Sequence, residues 1–212
     1  IANAVVQIFS ASASGDDVEI YNVNHNLIAQ VHFFRQQVKK ADHQYCLSDF
    51  IAPKDSNNND WFGAFAVTTG IGLDKLVHRF ETEGDDYNSI MAKALADRLA
   101  EAFAEKLHLL TRKKFWGYAA DEDLFNEDLL KEKYCGIRPA PGYPACPDHS
   151  EKETLFKLLE VEKNTGIQLT SNYAMSPAAS VCGWYFSHPE SKYFSIGKIS
   201  EDQLKDYCQR KQ

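Results

Sequence analysis

The sequence predicts a mixed α+β fold with a mainly antiparallel sheet and long covering helices. About six runs of β-branched and aromatic residues are separated by turns instead of alternating regularly with helices, which is typical of antiparallel strands. Residues 87–113 have the apolar spacing of one long helix. No G-x-G-x-x-G motif follows a strand, so the sequence does not support a doubly wound nucleotide-binding fold.

Composition sets the broad class of the protein. A chain of 212 residues with 44% hydrophobic and 25% charged residues is long enough for one globular domain with a substantial core. A net charge of −7 argues against nucleic-acid and anionic-membrane partners. Since no apolar run nears the roughly 20 residues that span a bilayer and no signal peptide is evident, we expect a cytoplasmic protein.

The cysteines and the first residue give two further expectations. Five cysteines form an odd, scattered set without a C-x-x-C pair, which favours reduced thiols over a disulfide framework or a zinc site. The chain begins with Ile1 instead of Met, and we therefore expect it to be a piece of a longer protein.

In the first third of the chain, the patterns predict four strands and one helix. The predicted strands are 4–9, 18–21, 45–53 and 62–69, of which the last is expected to be central, and the predicted helix is 27–38. Residues 39–44 are predicted to be a polar loop. Asp49 lies among apolar neighbours, so it is either a paired structural carboxylate or a site residue.

A short helix is predicted at 74–82, and Asp85 or Asp86 is predicted to cap the long helix at 87–113. The apolar spacing of this long helix predicts a buried stripe, made of Leu95, Leu99, Phe103, Leu107 and Leu110. Its C-terminal cations at 112–114 are expected to oppose the helix dipole.

An acidic stripe follows another side of this helix. Asp97, Glu101 and Glu105 recur every fourth residue, and like charges at this spacing repel by a few tenths of a kcal/mol per pair. The stripe is therefore either a solvated face or a surface that meets a ligand or a docked partner.

In the last third, helices are predicted at 124–133 and 150–166, and the second begins with a capping box formed by Ser150 and Glu153. Strands are predicted at 167–169 and 178–186, the latter returning as a hairpin through 193–197. Ser200 and Gln203 form a second capping box for the final helix.

A proline loop at 136–149 separates the two halves of this pattern. It holds four of the seven prolines, each of which removes a backbone donor and fixes φ, so the segment is predicted to be a stiff, extended loop. Gly142 permits a tight reversal, Arg138 offers a planar fork of donors for a carboxylate or phosphate, and Tyr143 offers a flat apolar face. The loop is either a rigid ledge for a small ligand or a stiffened surface connection.

The run R-P-A-P-G-Y-P at 138–144 resembles the S-adenosylmethionine-binding signature of the activation domain of cobalamin-dependent methionine synthase. Further stretches are similar to the same domain in the same order, namely 45–50, 84–87, 93–105, 184–189 and 191–193. The resemblance covers nearly the whole chain. It identifies residues 1–212 as such a domain, incomplete at the N-terminus and slightly short at the C-terminus.

The resemblance implies an unusual helmet-shaped α+β fold and a role in repair. When the cobalamin of methionine synthase is oxidised to cob(II)alamin, an electron from flavodoxin or a flavoprotein reductase and a methyl group from S-adenosylmethionine regenerate methylcobalamin. The cobalamin belongs to a neighbouring domain of the same polypeptide. The fragment is thus expected to be part of a methyltransferase without turning over alone.

The resemblance also implies the ligand contacts. Arg138 pairs with the ligand's carboxylate, the backbone of Ala140 contacts the adenosine portion, and Tyr193 and Phe194 line the site, where some relatives have a second tyrosine. An upstream aspartate that contacts the amino group in the family is absent here, and Glu101 is the expected substitute.

Two residues are implied to meet the cobalamin domain. Tyr143 faces the corrin, and Asp97 holds the histidine released from cobalt. Leu73 stands where some members have a second acidic partner for that histidine.

Two other functional interpretations remain open. One is a docking module for the cobalamin domain or flavodoxin that binds no ligand itself. The other is a free-standing enzyme with Cys146 as nucleophile and His149 as base, which is opposed by Pro147 between them and by the lack of a third, orienting group.

Overall fold

The computed structural model describes residues 1–37, 43–56 and 58–212, and it confirms the α+β prediction. The strands of this part of the chain are β1 (Asn3–Ser14), β2 (Asp17–Tyr21), β3 (Leu27–His32), β4 (Asp60–Thr68), β5 (Gln168–Leu169), β6 (Met175–Ser176) and β7 (Ser180–Tyr185). Its α-helices are α1 (Leu73–Thr82), α2 (Asp86–Leu110), α3 (Asn126–Leu130), α4 (Glu151–Leu158), α5 (Val161–Thr165) and α6 (Glu201–Arg210). None of the described helices is both long and apolar enough to cross a bilayer.

A five-stranded antiparallel sheet in the order β3-β2-β1-β4-β7 carries the fold. β4 lies between β1 and β7, and its residues 62–68 are buried, so the prediction of a central strand is confirmed. Because successive side chains of a strand point to opposite faces, β4 contributes to two hydrophobic clusters. Phe62 packs in the larger cluster with Leu155 and Leu159, and Phe65 packs in the smaller one with Leu107 of α2.

The buried face of α2 differs from the predicted leucine stripe. Leu95 and Leu99 are 54% and 59% exposed, and the buried positions one turn apart are Ala96, Ala100 and Ala104. Small side chains let the helix backbone approach the sheet closely, so the alanines form the packed face and the longer side chains are displaced outward. Of the five leucine and phenylalanine residues predicted to be buried, only Leu107 is buried. Asp85 caps the helix by accepting a hydrogen bond from Asn88 N at 3.0 Å, as predicted.

The predicted helix at 27–38 is wrong. Residues 27–32 form β3, which pairs with β2 in a register that includes Val18 and Val31. The Asn22 side chain accepts hydrogen bonds from the backbone amides of Asn24 and Asn26, which fixes a turn between the strands and favours the hairpin over a helix. Residues 38–42, which include most of the predicted polar loop, lie outside the described residues.

The predicted strand at 45–53 is also wrong, because residues Leu47–Phe50 form a 3-10 helix. The carboxylate of Asp49 accepts hydrogen bonds from Cys46 N at 2.9 Å and from both terminal nitrogens of Arg35 at 2.7 and 2.8 Å. Partial burial raises the pKa of Asp49, but these hydrogen bonds outweigh it and hold the pKa below its usual range. Asp49 is therefore a paired structural carboxylate.

The predicted helix at 150–166 is divided into α4 and α5 by Glu160, whose backbone is left-handed with φ 44°. Neither predicted capping box forms, because neither Ser150 nor Ser200 makes a side-chain hydrogen bond that caps its helix. Ser150 donates its hydroxyl hydrogen to Asp148 at 2.6 Å, and Gln203 donates to the backbone oxygen of Arg35. The helical end at Gly166 is confirmed by its left-handed φ of 81°.

Candidate ligand-binding site

The proline loop runs along β7, the edge strand of the sheet. Ile137 and Phe186 exchange backbone hydrogen bonds of 3.0 Å, and Trp184 N donates to Pro139 O at 2.9 Å. The prolines cannot donate in return, so the pairing stays irregular and the loop does not add a regular strand next to β7. These hydrogen bonds fix the position of the loop at the edge of the sheet.

The tip of the loop reverses at Gly142. Its amide donates to Cys146 O at 2.7 Å, and its φ is 99°, in the left-handed region that favours glycine. A Cβ at this position would lie 2.2 Å from Cε1 of His149, so there is no space for any side chain. The reversal predicted from Gly142 is confirmed.

The segment 193–197 is not a returning strand, contrary to the prediction. The hydroxyl oxygen of Tyr193 accepts a hydrogen bond from Arg138 N at 3.0 Å, and Ile196 N donates to Pro144 O at 2.9 Å. The proline loop already occupies the free edge of β7, so residues 193–197 attach to the loop and not to the strand. This arrangement brings Tyr193 and Phe194 over the loop.

A cleft of about 290 Å³ lies between the loop, this segment and α2. Every residue predicted to bind the ligand lines it, namely Arg138, Ala140, Tyr143, Tyr193, Phe194 and Glu101. Its other walls come from Phe65, Glu132, Pro139, Pro144, Ala145 and Val181. Asp97 is not among the lining residues and lies exposed one helical turn before Glu101.

The guanidinium of Arg138 is held at the side of the cleft by three residues. Its Nη2 lies 2.7 Å from Oε2 of Glu105, and its Nη1 lies 3.3 Å from Nδ1 of His108 and 3.4 Å from the hydroxyl of Tyr134. Burial lowers the pKa of Arg138, but the Glu105 carboxylate outweighs this and raises it. The side chain is therefore cationic and remains 20% exposed.

The acidic stripe on α2 thus has three different environments. Glu105 pairs with Arg138, Glu101 lines the cleft, and Asp97 is solvated. Residues 101, 105 and 108 recur at i, i+4 and i+7, and this spacing places His108 on the same helical face as the two glutamates. This spacing is visible in the sequence, but His108 was not predicted as a site residue.

Arg112, one of the three C-terminal cations predicted to oppose the helix dipole, is held in an ion pair inside the protein. It is fully buried and donates two hydrogen bonds to Glu122, from Nε at 2.9 Å and from Nη2 at 2.8 Å, with its Cζ 4.3 Å from the centre of the Tyr134 ring. The long helix was predicted to continue to residue 113, but the chain leaves α2 at Leu110 in a π-helical turn, Thr111–Phe115.

Glu132 lines the cleft although the sequence did not predict it as a site residue. It is not glycine, yet its φ is 52°, in the left-handed region. Backbone strain of this kind costs on the order of 1–3 kcal/mol and is concentrated at functional sites. No local sequence signal distinguishes Glu132 from the other acidic residues of its segment.

The geometry does not support Cys146 and His149 as a nucleophile and its base. Cys146 is buried, and this burial, followed by the nearby Glu151 and Asp148, raises the pKa of its thiol well above the usual value. Nδ1 of His149 lies 3.0 Å from Nζ of Lys152. Within the described part of the chain, no hydrogen bond joins Cys146 to His149.

Comparison with known proteins bears directly on the family. The sequence model described as "Vitamin B12 dependent methionine synthase, activation domain" matches residues 1–212. Among solved structures, the chain is similar to the MetH reactivation domain bound to AdoHcy, with 56% sequence identity and a TM-score of 0.96. The match covers 99% of this chain and 66% of that one, so the chain spans just under two thirds of its length. The resemblance inferred from the motifs is thereby confirmed, and the chain belongs to the family of activation domains of vitamin B12 dependent methionine synthases.

Proposed function

We propose that the cleft binds S-adenosylmethionine and that the bound molecule serves the reductive remethylation of cob(II)alamin to methylcobalamin, which reactivates methionine synthase for methyl transfer from methylcobalamin to homocysteine. The observation that carries this proposal is the convergence of all six expected ligand contacts on one cleft. The similar structure holds AdoHcy, the molecule that remains when S-adenosylmethionine has given up its methyl group.

The polar side of the cleft fits the amino-acid end of such a ligand. The contacts of Arg138 with Glu105, His108 and Tyr134 involve three of its five N–H donors, two on Nη1 and one on Nη2, and leave the others for a carboxylate. Glu105 does not line the cleft and serves to hold Arg138. The carboxylate of Glu101, which does line the cleft, fits the ligand's ammonium group.

The opposite side of the cleft is apolar and fits the adenosine portion. Phe194 packs against Tyr45 with ring centroids 5.8 Å apart, which holds it at the wall, and Tyr193 is fixed by its bond to the Arg138 amide. Pro139 and Ala140 supply a stiff backbone edge for polar contacts with the nucleoside. Apolar walls with a few fixed polar groups are typical of small-molecule sites.

In the proposed reaction, S-adenosylmethionine supplies the methyl group, an external donor supplies one electron, and the cobalamin of the neighbouring domain accepts both. This chain's residues bind and orient the methyl donor. Tyr143 is 59% exposed at the tip of the loop, at the mouth of the cleft, where a docked cobalamin domain would meet it. We assign flavodoxin or a flavoprotein reductase as the electron donor from the family resemblance alone.

We assign Asp97 to the histidine released from cobalt. Asp97 and Glu101 are one turn apart on α2, so a domain docked over the cleft would also cover Asp97. Leu73 at the start of α1 offers no carboxylate, and Asp97 is therefore the assigned acidic partner.

A calorimetric titration of S-adenosylmethionine into the 212-residue chain tests the proposal. We expect saturable binding in the micromolar range with one site per chain. The absence of binding at millimolar ligand would reject the ligand assignment.

The docking module without a ligand is the second candidate, and one observation favours it. α2 presents an exposed apolar face, made of Tyr87, Ile90, Met91, Leu95 and Leu99. If the chain bound a separately produced cobalamin domain but no S-adenosylmethionine, this candidate would replace the proposal.

A thiol-alkylation experiment tests the remaining enzyme interpretation. Cys146 is buried and Cys208 is exposed, so iodoacetamide should label Cys208 first in the native chain and Cys146 only after unfolding. Rapid native labelling of Cys146 would restore the interpretation of Cys146 as a nucleophile.

A further inference from the structure

His108 lies behind the cleft and has no part in the proposed function as described so far. It projects from the last turn of α2 and is fully buried. Its ring stacks on Tyr185, with centroids 4.9 Å apart and planes 10° apart, and meets Tyr134 edge-on at 5.0 Å. The two aromatic rings fix the plane of the imidazole.

The hydrogen bonds of His108 determine which nitrogen carries the proton. Nδ1 lies 3.3 Å from Nη1 of Arg138, and Nε2 lies 3.3 Å from the hydroxyl of Tyr118. A guanidinium can only donate, so Nδ1 must accept and the imidazole proton must be on Nε2. Nε2–H then donates to the Tyr118 oxygen.

The surroundings of the ring keep it neutral. Burial is the main cause that lowers the pKa of His108 well below its usual value, and the charges of Arg112 and Arg138 act in the same direction. The carboxylate of Glu105 is engaged with Arg138. A protonated ring would also lose its acceptor at Nδ1 and would repel the guanidinium.

We infer that His108 is a positioning residue for ligand recognition, in which Nδ1 holds one terminal nitrogen of Arg138 while Glu105 holds the other. Without His108, Nη1 would keep only the longer contact of 3.4 Å with the Tyr134 hydroxyl, and the guanidinium would be held less firmly on that side. Two acceptors on different nitrogens fix its plane, so its remaining donors point in a constant direction towards the ligand's carboxylate. This inference rests on the proposed function.

Two substitutions at His108 test the inference. His108→Phe keeps a flat ring against Tyr185 but removes the acceptor, whereas His108→Asn places an amide oxygen near the position of Nδ1. The ligands are S-adenosylhomocysteine and 5′-methylthioadenosine, which lacks the amino-acid portion. We expect His108→Phe to weaken binding of S-adenosylhomocysteine about tenfold and binding of methylthioadenosine less than about twofold, and His108→Asn to restore most of the loss.

The outcomes separate the inference from the proposed function. If the wild-type chain binds neither ligand, the proposed function fails. If it binds both, and His108→Phe weakens them equally or not at all, the positioning role is overturned while the proposed function stands. A loss confined to S-adenosylhomocysteine supports both.

A measurement on the wild-type chain keeps the inference testable if the variants do not fold. Long-range ¹H–¹⁵N correlation spectra of the imidazole should show a protonated Nε2 and an unprotonated Nδ1 for His108, unchanged from about pH 6 to 8. A proton on Nδ1, or an imidazolium in that range, would overturn it.

Discussion

Arg112 and Arg138 both contact Tyr134, Arg112 over the ring and Arg138 at the hydroxyl, and each pairs with a glutamate. Arg112 is fully buried and donates through two nitrogens to Glu122. Arg138 touches its glutamate through one nitrogen and keeps 20% of its side chain exposed to the cleft. We call the buried pair of Arg112 and Glu122 the closed pair. We call the partly exposed pair of Arg138 and Glu105 the open pair.

This difference shows how a structural ion pair can be distinguished from a binding group. A fully buried guanidinium such as that of Arg112 cannot be reached by a ligand, and removing it leaves its partner glutamate as an uncompensated charge. A partly exposed guanidinium that keeps free donors can accept a carboxylate without first breaking its own contacts. We therefore assign Arg112 to stability and Arg138 to recognition.

The largest expected effect is on stability at the closed pair. Arg112→Leu leaves Glu122 buried without its partner and should cost about 3–5 kcal/mol, which corresponds to a fall in Tm of roughly 6–20 °C. Thermal unfolding followed by circular dichroism measures it. The double variant Arg112→Leu/Glu122→Leu should recover much of the loss, and an unchanged Tm in the single variant would contradict the assignment.

Substitution of Arg138 in the open pair should weaken ligand binding more than it lowers the stability of the fold. Arg138→Ala should weaken S-adenosylmethionine binding by about 1.5–3 kcal/mol, because a charge-assisted hydrogen bond is lost. Arg138→Lys is the matched control, since it keeps the charge but not the planar fork, and it should restore affinity only in part. A Tm loss as large as that of Arg112→Leu, with affinity unchanged, would reverse the two roles.

A third ion pair anchors the C-terminal end of the proline loop, and we expect it to contribute to stability although both of its side chains are partly exposed. Asp148 lies 2.8 Å from Lys211 and accepts a hydrogen bond from Ser150 at 2.6 Å. Burial raises the pKa of Asp148, but these contacts outweigh it and lower the pKa well below its usual value. A depressed pKa in the folded state stabilises the protein above the unfolded-state pKa of about 3.9, and this contribution is lost as the pH falls below it.

Asp148→Asn should therefore lower stability by about 1–2 kcal/mol at pH 7, and the difference from wild type should shrink steadily below about pH 4. Urea unfolding at a series of pH values measures it. A difference that stays constant down to about pH 2 would show that the charge of Asp148 contributes nothing.

The smallest effect is expected at the contact between the loop and the aromatic segment. Tyr193→Phe removes the hydroxyl that accepts from Arg138 N and should cost about 0.5–1.5 kcal/mol in ligand binding. Phe194→Tyr is a useful comparison because it adds a hydroxyl next to the same wall. An affinity for S-adenosylmethionine unchanged by Tyr193→Phe would mean that the segment is placed by packing alone.

The fold was predictable where local chemistry determines it. The apolar run of β4, the cap at Asp85 and the reversal at Gly142 each follow from residue types in one short stretch. The packed face of α2 cannot be predicted from such a stretch. Its alanines are buried because the sheet lies too close to the helix for leucine side chains to fit between them. The helix predicted at 27–38 was wrong for a similar reason, since pairing with β2 outweighs the local spacing.

The family motifs, and not residue patterns alone, predicted the six residues that line one cleft in the structure. Arg138 and Tyr193 are 55 positions apart, and their meeting depends on the proline loop occupying the edge of β7. The roles of Arg112 and His108 depend on which side chains are buried beside them, and the sequence shows neither burial nor partners.

The most direct test of the contrast between the two arginines is calorimetric titration of S-adenosylmethionine into the wild-type, Arg138→Ala and Arg112→Leu chains at a temperature where all three are folded. The account predicts micromolar binding to wild type, binding at least about tenfold weaker in Arg138→Ala, and near-native affinity in Arg112→Leu. Equal affinity in wild type and Arg138→Ala would contradict it.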